Sequence, residues 1–323
     1  MQIRKAVITA AGRGVRQYPA SDTVQKAMLP LVDRDGLTKP VIQIIGEEAI
    51  ESGIESIAVI SAPGDEDQYR SQFQGFSENL LKAYKNTDWA LEQSRRLKDL
   101  EKRFYFIPQE TPEGYGHAVW RAKEFVGNEP FLLLLGDHLY ISDEPRRCAS
   151  QIMDVAREME CAVAAVQATR EHLIHLYGTI SGKRVSGKPQ VYQIEEMIEK
   201  PNLSIAESRL HVPGLRLGHY LCFFGMHVLT PTIFEILDEQ IRQNLRENEE
   251  IQLTSALQEL ARREKYLALE THGRRYDIGV PYGFVEAQIA LALAGIDREK
   301  MLTDLVEILL RQEQWVTNTG HTA

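Results

Sequence analysis

Short apolar runs bounded by turn residues alternate along the first half of the chain with segments of helical spacing. Residues 3–10 (IRKAVITA) and 55–62 (ESIAVISA) are continuous apolar stretches of strand length, which predicts buried strands. Between them KPVIQIIGEEAIESG has helical spacing and a stop at Gly53. Residues 77–103 predict a long, charged, mostly solvated helix or helix pair, RFYFIPQ a strand, and residues 117–126 a helix. The run PFLLLLGD (130–137) predicts a fully buried strand that ends in an acid. Strands alternating with helices imply an α/β fold with a doubly wound, mainly parallel mixed sheet.

The pattern changes after residue 160. CAVAAVQAT predicts another buried strand, and YGTISGKRVSGKPQVYQIEEMIEKP several short strands with glycine turns, a small antiparallel extension of the sheet. HYLCFFGMHVLTP predicts a strand leading into the helix TIFEILDEQIRQN; the helix QLTSALQELARRE and the strand YLALETH follow, then two terminal helices at about 282–294 and 297–314. No repeat or low-complexity linker interrupts the chain. The expected organisation is one domain over 1–281 with a helical appendage at 282–323.

The 323 residues are 43% hydrophobic, enough for a buried core, and 37 basic against 46 acidic residues give a net charge of -9. That balance argues against non-specific nucleic-acid binding, which needs a basic face. The N-terminal MQIRKAVITA lacks the pattern of a signal peptide, and no window reaches the roughly 18 apolar residues of a membrane span. Cys148, Cys161 and Cys222 are too far apart to suggest a disulfide framework or a zinc site, and HLIH (172–175) has no third ligand nearby. A cytoplasmic protein is expected.

The candidate chemistry begins in VITAAGRGVRQYPASDTVQKAMLPLVD (7–33). Gly12 and Gly14 follow a predicted strand, where backbone amides can face an anion. The spacing matches neither the Walker loop nor GxGxxG, since Gln17 stands where the third glycine would be. A glycine turn with a surface arginine is the plain alternative. Arg16 and Lys26 lie in one segment punctuated by Pro19, so a chain wrapped around a polyphosphate could aim both inward.

At these residues the chain resembles the sugar-phosphate nucleotidyltransferases, most of all the bacterial branch that joins UTP to glucose 1-phosphate. The resemblance starts in AAGRGVR and QKAMLPL and continues in order through QETPEGYGHAV, LLLLGDHL, MIEKP, FFGMHVLTPTIFEIL, EIQLTSAL and RRYDIG. It implies the Rossmann-like nucleotide-diphospho-sugar transferase fold, Mg²⁺ as cofactor, UTP and glucose 1-phosphate as substrates, and a homodimer or homotetramer, with the helices after 282 as a candidate joint. It assigns Arg16 and Lys26 to catalysis, and Asp137 and Asp277 to the metal. Ala10, Ala11, Gly12, Gly14, Gln109 and Gly114 fall to the nucleotide, and Gly178, Glu199 and Lys200 to the sugar phosphate. Glu199 and Lys200 can face one ligand only if their strand ends there, as Pro201 suggests. His117 reads as a structural or capping residue.

The chain departs from the family pattern at Val15, Gln25 and His138, where threonine, proline and an acid are usual. None of these removes a charge the mechanism needs. Alternatives that remain are the same chemistry with dTTP, ATP or another sugar phosphate, and a non-catalytic regulator that binds a nucleotide sugar. An NAD(P)-dependent oxidoreductase is disfavoured by the missing GxGxxG.

Overall fold

The computed structural model describes residues 1–12, 24–85, 87–247 and 249–319. Strand β1 (Lys5–Thr9) is followed by a ribbon of β2 (Pro30–Val32) and β3 (Thr38–Pro40), then helix α1 (Val41–Glu51) and β4 (Ser56–Ser61). The charged helices α2 (Glu66–Ala83) and α3 (Asp88–Arg103) lead into β5 (Phe104–Pro108), and the short helices α4 (Tyr115–Trp120) and α5 (Lys123–Val126) into β6 (Phe131–Leu135). Next come β7 (His138–Ser142), α6 (Cys148–Met159), β8 (Ala162–Arg170), β9 (Thr179–Val185), β10 (Lys188–Ile198), α7 (Leu203–Arg209) and β11 (His219–Leu229). The chain closes with α8 (Thr232–Arg242), α9 (Leu253–Arg263), β12 (Tyr266–Glu270), β13 (Gly273–Asp277), α10 (Gly283–Leu293) and α11 (Arg298–Thr319).

Nine strands form one sheet in the order β5-β4-β1-β6-β11-β8-β12-β10-β9. All run in one direction except β11 and β10, as their antiparallel pairings with β6, β8, β9 and β12 require. The mixed, doubly wound sheet expected from the sequence is therefore present, with its antiparallel strands in the second half. Its central strands read as unbroken apolar runs because both faces are covered. Ala6 and Ile8 of β1, with Leu132 and Leu134 of β6, pack into a core shared with α1, α6 and α10. Val7, Phe131 and Leu133 point the other way, into a core shared with α4, α8 and α9.

Several elements differ from expectation. The charged segment is a helix pair that begins at Glu66, well before residue 77, and turns at Lys85, where φ is +50°. The helix expected at 117–126 starts at Tyr115 and is broken into α4 and α5. The short, partly polar strands β7 and β13 pair antiparallel beside the main sheet, placing Asp277 opposite His138. The three cysteines are buried and free. Helix α10 packs Ala287 and Leu291 into the core, and Gln288 bonds both the N–H and the C=O of Val32 at the edge of β2. Helix α11 leaves Val306, Ile308, Leu309 and Leu310 exposed.

Candidate active site

Parallel strands that end side by side leave a crevice beyond their carboxyl ends, and ligands of open α/β sheets bind there. Here β1, β4, β5 and β6 end at Thr9, Ser61, Pro108 and Leu135. The residues that follow each (Ala10 to Gly12, Ala62 and Pro63, Gln109, Gly136 and Asp137) line a cavity of about 460 Å³. That is ample for a nucleotide-sized ligand. A second cavity of about 270 Å³ is lined by Gly178, Glu199, Lys200, Arg275 and Asp277. Tyr115, Leu135 and Asp137 line both, so the two hollows are halves of one cleft.

In the first half, the segment from Gln109 to Tyr115 is clamped against residues 250–252. Gly114 has φ +110°, and a Cβ on it would lie 2.8 Å from the Ile251 carbonyl oxygen; one on Gly116 would be equally close. Only glycine fits at these two positions. The Gln109 amide nitrogen donates to the Gly114 carbonyl at 3.2 Å and lies 3.1 Å from His117 Nδ1. Ala10 lines the cavity, but its own N–H is spent on the Ile60 carbonyl at 2.7 Å. Ala10 can thus offer a carbonyl and a methyl, not a donor.

Where the halves meet, Lys26 Nζ is 2.7 Å from Asp137 Oδ2, with both side chains mostly buried. Asp137, His138 and Asp277 bring three possible metal-binding atoms within 4.8 Å of one another, the one such cluster among the described residues. His138 Nε2 is 3.8 Å from Asp277 Oδ2, and the Gly279 N–H donates to Asp277 Oδ1 at 2.8 Å. A Cβ on Gly279 would come within 2.9 Å of Asp137 Oδ2, 3.0 Å of Asp277 Oδ1 and 3.1 Å of Lys26 Nζ. The glycine keeps open the hollow that both acids and the lysine face. Gly225, with φ +82°, makes similar room for the His138 ring. Two carboxylates and an imidazole around a small polar hollow suit a divalent cation with oxygen and nitrogen ligands.

In the second half, β10 ends at Ile198 and Lys200 takes φ +45°, so Glu199 and Lys200 both reach the cavity. Glu199 Oε2 accepts from Thr254 Oγ1 at 2.7 Å and lies 3.0 Å from where a Cβ on Gly178 would be. Arg275 shares a face of β13 with Asp277, two residues on. Its guanidinium stacks on the Tyr177 ring at 3.7 Å and donates to the Phe223 carbonyl. His227, whose Nδ1 is 2.7 Å from the Tyr266 hydroxyl, is pushed down to about 3 by burial and is neutral.

A cleft with a tight backbone loop on one side, hydroxyl-binding groups on the other, and cations and acids between them suits a nucleotide joined to a sugar phosphate. The nucleotidyl transferase family profile matches residues 5–292. The chain belongs to that family. It is 34% identical to the UTP–glucose-1-phosphate uridylyltransferase of Bacillus subtilis (strain 168) over 316 residues, 97% of this chain and 99% of the relative. It is 39% identical to the enzyme of that name from Streptococcus pneumoniae over 297 residues, 90% of this chain and 91% of the relative. A crystal structure of UDP-glucose pyrophosphorylase complexed with UDP-glucose superposes with a TM-score of 0.71 at 31% identity, covering 90% of this chain and 98% of the other.

In this nucleotidyl transferase, Ala10, Ala11, Gly12, Lys26, Gln109, Gly114 and Asp137 gather in one half of the cleft. Gly178, Glu199, Lys200 and Asp277 gather in the other, with Asp137 lining both. Gly14 and Arg16, with Val15, lie outside the described residues. Sequence reasoning missed Gly279, although RRYDIG contains it, because only the folded chain shows two carboxylates and an ammonium crowding the place of its side chain. It also missed Thr254, an ordinary first-turn helix residue in sequence, and gave Arg275 no place in the site.

Proposed function

We propose that the chain transfers a uridylyl group from UTP to glucose 1-phosphate. A phosphate oxygen of the sugar phosphate attacks the α-phosphorus of UTP, a new P–O bond forms, the bond to the β-phosphate oxygen breaks, and pyrophosphate leaves with that electron pair. The observation that carries this reading is the shared wall of the two half-clefts, where Asp137, Asp277 and Lys26 converge. Phosphoryl transfer needs positioned positive charge more than covalent chemistry. Lys26 supplies one fixed cation there, and Gly14 and Arg16 are assigned to the phosphates from the motif alone. Gln109 and the backbone around Gly114 meet the uracil, while Glu199 takes sugar hydroxyls and Lys200 the sugar phosphate.

Members of the family generally use a divalent cation, and Mg²⁺ is the ion proposed, held by Asp137 and Asp277. When bound it would neutralise charge on the phosphates. The helices beyond residue 281, of which α10 packs on the main core and α11 exposes apolar residues, are the proposed joint of a homodimer or homotetramer. No helix among the described residues is long and apolar enough to cross a membrane, and the cytoplasm, where nucleoside triphosphates are at hand, is the proposed site of work. The test is pyrophosphate release with Mg²⁺ and glucose 1-phosphate, offering UTP, dTTP, ATP, GTP and CTP separately. Release fastest with UTP supports the reading, release with another nucleotide corrects the base, and no release with any sugar phosphate overturns it.

A further inference from the structure

Gln109 faces the cleft with its amide held from behind. A carbonyl oxygen only accepts, so the amide atom 3.2 Å from the Gly114 oxygen is Nε2; turning the amide round would set two oxygens against each other. The second hydrogen of that nitrogen is then free for His117 Nδ1 at 3.1 Å, which must be the unprotonated nitrogen of a neutral ring. His117 is well placed for this part. The ring is 8% exposed and stacks on Trp120 with centroids 5.5 Å apart, and Trp120 is itself tied to Asp238 by a 2.6 Å hydrogen bond. Burial lowers the pKa of the imidazole and favours the neutral form; Arg121 and Arg246 act in the same direction, Glu113 and a hydrogen bond to the Thr111 backbone against it. With Nε2 committed twice, Oε1 is the amide atom left for a ligand in the cavity that Gln109 lines, and no hydrogen bond to it is made among the described residues.

We propose that His117 is a positioning residue for base selection: by accepting from Gln109 Nε2 it joins the Gly114 carbonyl in holding the amide with its oxygen left for the cleft. An outward acceptor fits a base with an N–H at the centre of its pairing edge, as uracil and thymine have at N3. Cytosine carries an acceptor at N3 and meets Oε1 lone pair to lone pair. Without His117 the Gly114 carbonyl alone opposes the turned amide, so the orientation in which Nε2 serves cytosine gains population and the discrimination falls. The inference rests on the uridylyl reading and refines it from a residue that reads the base to the residue that sets how it reads.

The test measures dissociation constants for UTP and CTP by calorimetry on the full chain and on the variants His117→Leu and His117→Asn. Leucine keeps bulk and removes the acceptor, whereas the asparagine Oδ1 falls near the place of Nδ1 and can accept. The UTP preference should narrow by about tenfold in the leucine variant, the scale of one lost buried hydrogen bond, and stay within about threefold of wild type in the asparagine variant. An unchanged preference in the leucine variant, or no preference in the wild type, overturns the proposal. Nitrogen NMR of ¹⁵N-histidine-labelled wild type gives a readout that needs no variant: His117 Nδ1 should be unprotonated, and a protonated Nδ1 overturns the assignment. A wild type that prefers UTP and carries this tautomer, yet releases no pyrophosphate with any sugar phosphate, would remove the catalytic reading and leave the role of His117 standing.

Discussion

Gly279→Ala adds one methyl group at the meeting point of Asp137, Asp277 and Lys26. Ordinary van der Waals contact with a Cβ begins near 3.4 Å, whereas the new carbon would sit 2.9, 3.0 and 3.1 Å from the three charged atoms. Each must retreat by about 0.3–0.5 Å. Misplacement of reacting groups by about 1 Å costs on the order of 10²-fold in rate, so a retreat of about half that size should lower kcat about tenfold. The backbone at Gly279 does not lie in the left-handed region, and its N–H bond to Asp277 survives the change. The fold should therefore hold, with a loss of about 1–3 kcal/mol from overpacking. The assay is pyrophosphate release at saturating UTP and glucose 1-phosphate, beside a thermal melt. A folded variant with kcat within twofold of wild type would refute the claim that these three groups surround the reacting phosphates.

Lys26→Ala removes the cation 2.7 Å from Asp137 and should lower kcat/KM for UTP about a hundredfold or more; a loss under fivefold would deny it a place at the phosphates. Arg275→Met should raise KM for glucose 1-phosphate about tenfold and leave KM for UTP unchanged, because Arg275 lines only the sugar-side hollow; equal changes in both would mean a general loss of shape. Burial raises the Glu48 carboxyl from 4.5 to about 7, with the Ala149 N–H pulling the other way. A folded pKa above the unfolded one makes its stabilising contribution fullest below about pH 4.5, with loss as pH rises to 7. Glu48→Gln cannot ionise, so its stability relative to wild type should improve across that window by up to about 3 kcal/mol. A melting-temperature difference that stays constant with pH would contradict this.

The central strands were legible because doubly covered strands write themselves as unbroken apolar runs, as FLLLL of β6 does with both faces packed. β7 and β13 were not, since neither is an unbroken apolar run and each carries charged or polar side chains at the site end. Their pairing is what brings Asp277 beside Asp137, and no local pattern encodes a contact across some 140 residues. The sequence motifs named both acids nonetheless, because the ordered blocks carry the family's chemistry. What motifs could not carry was the space around those groups: the hollow kept by Gly279, the room Gly225 leaves for His138, and the grip of His117 on Gln109. His117 reads as a capping residue until the amide it holds is seen.

The most direct test of the central claim follows both substrates to product by ³¹P NMR, with UTP, glucose 1-phosphate and Mg²⁺, comparing wild type with Asp277→Asn. Wild type should convert the pair to UDP-glucose and pyrophosphate, and the variant, with one of the two carboxylates proposed to hold the metal neutralised, should do so at least about a hundredfold more slowly. No UDP-glucose from wild type, or equal rates from both proteins, would contradict the account.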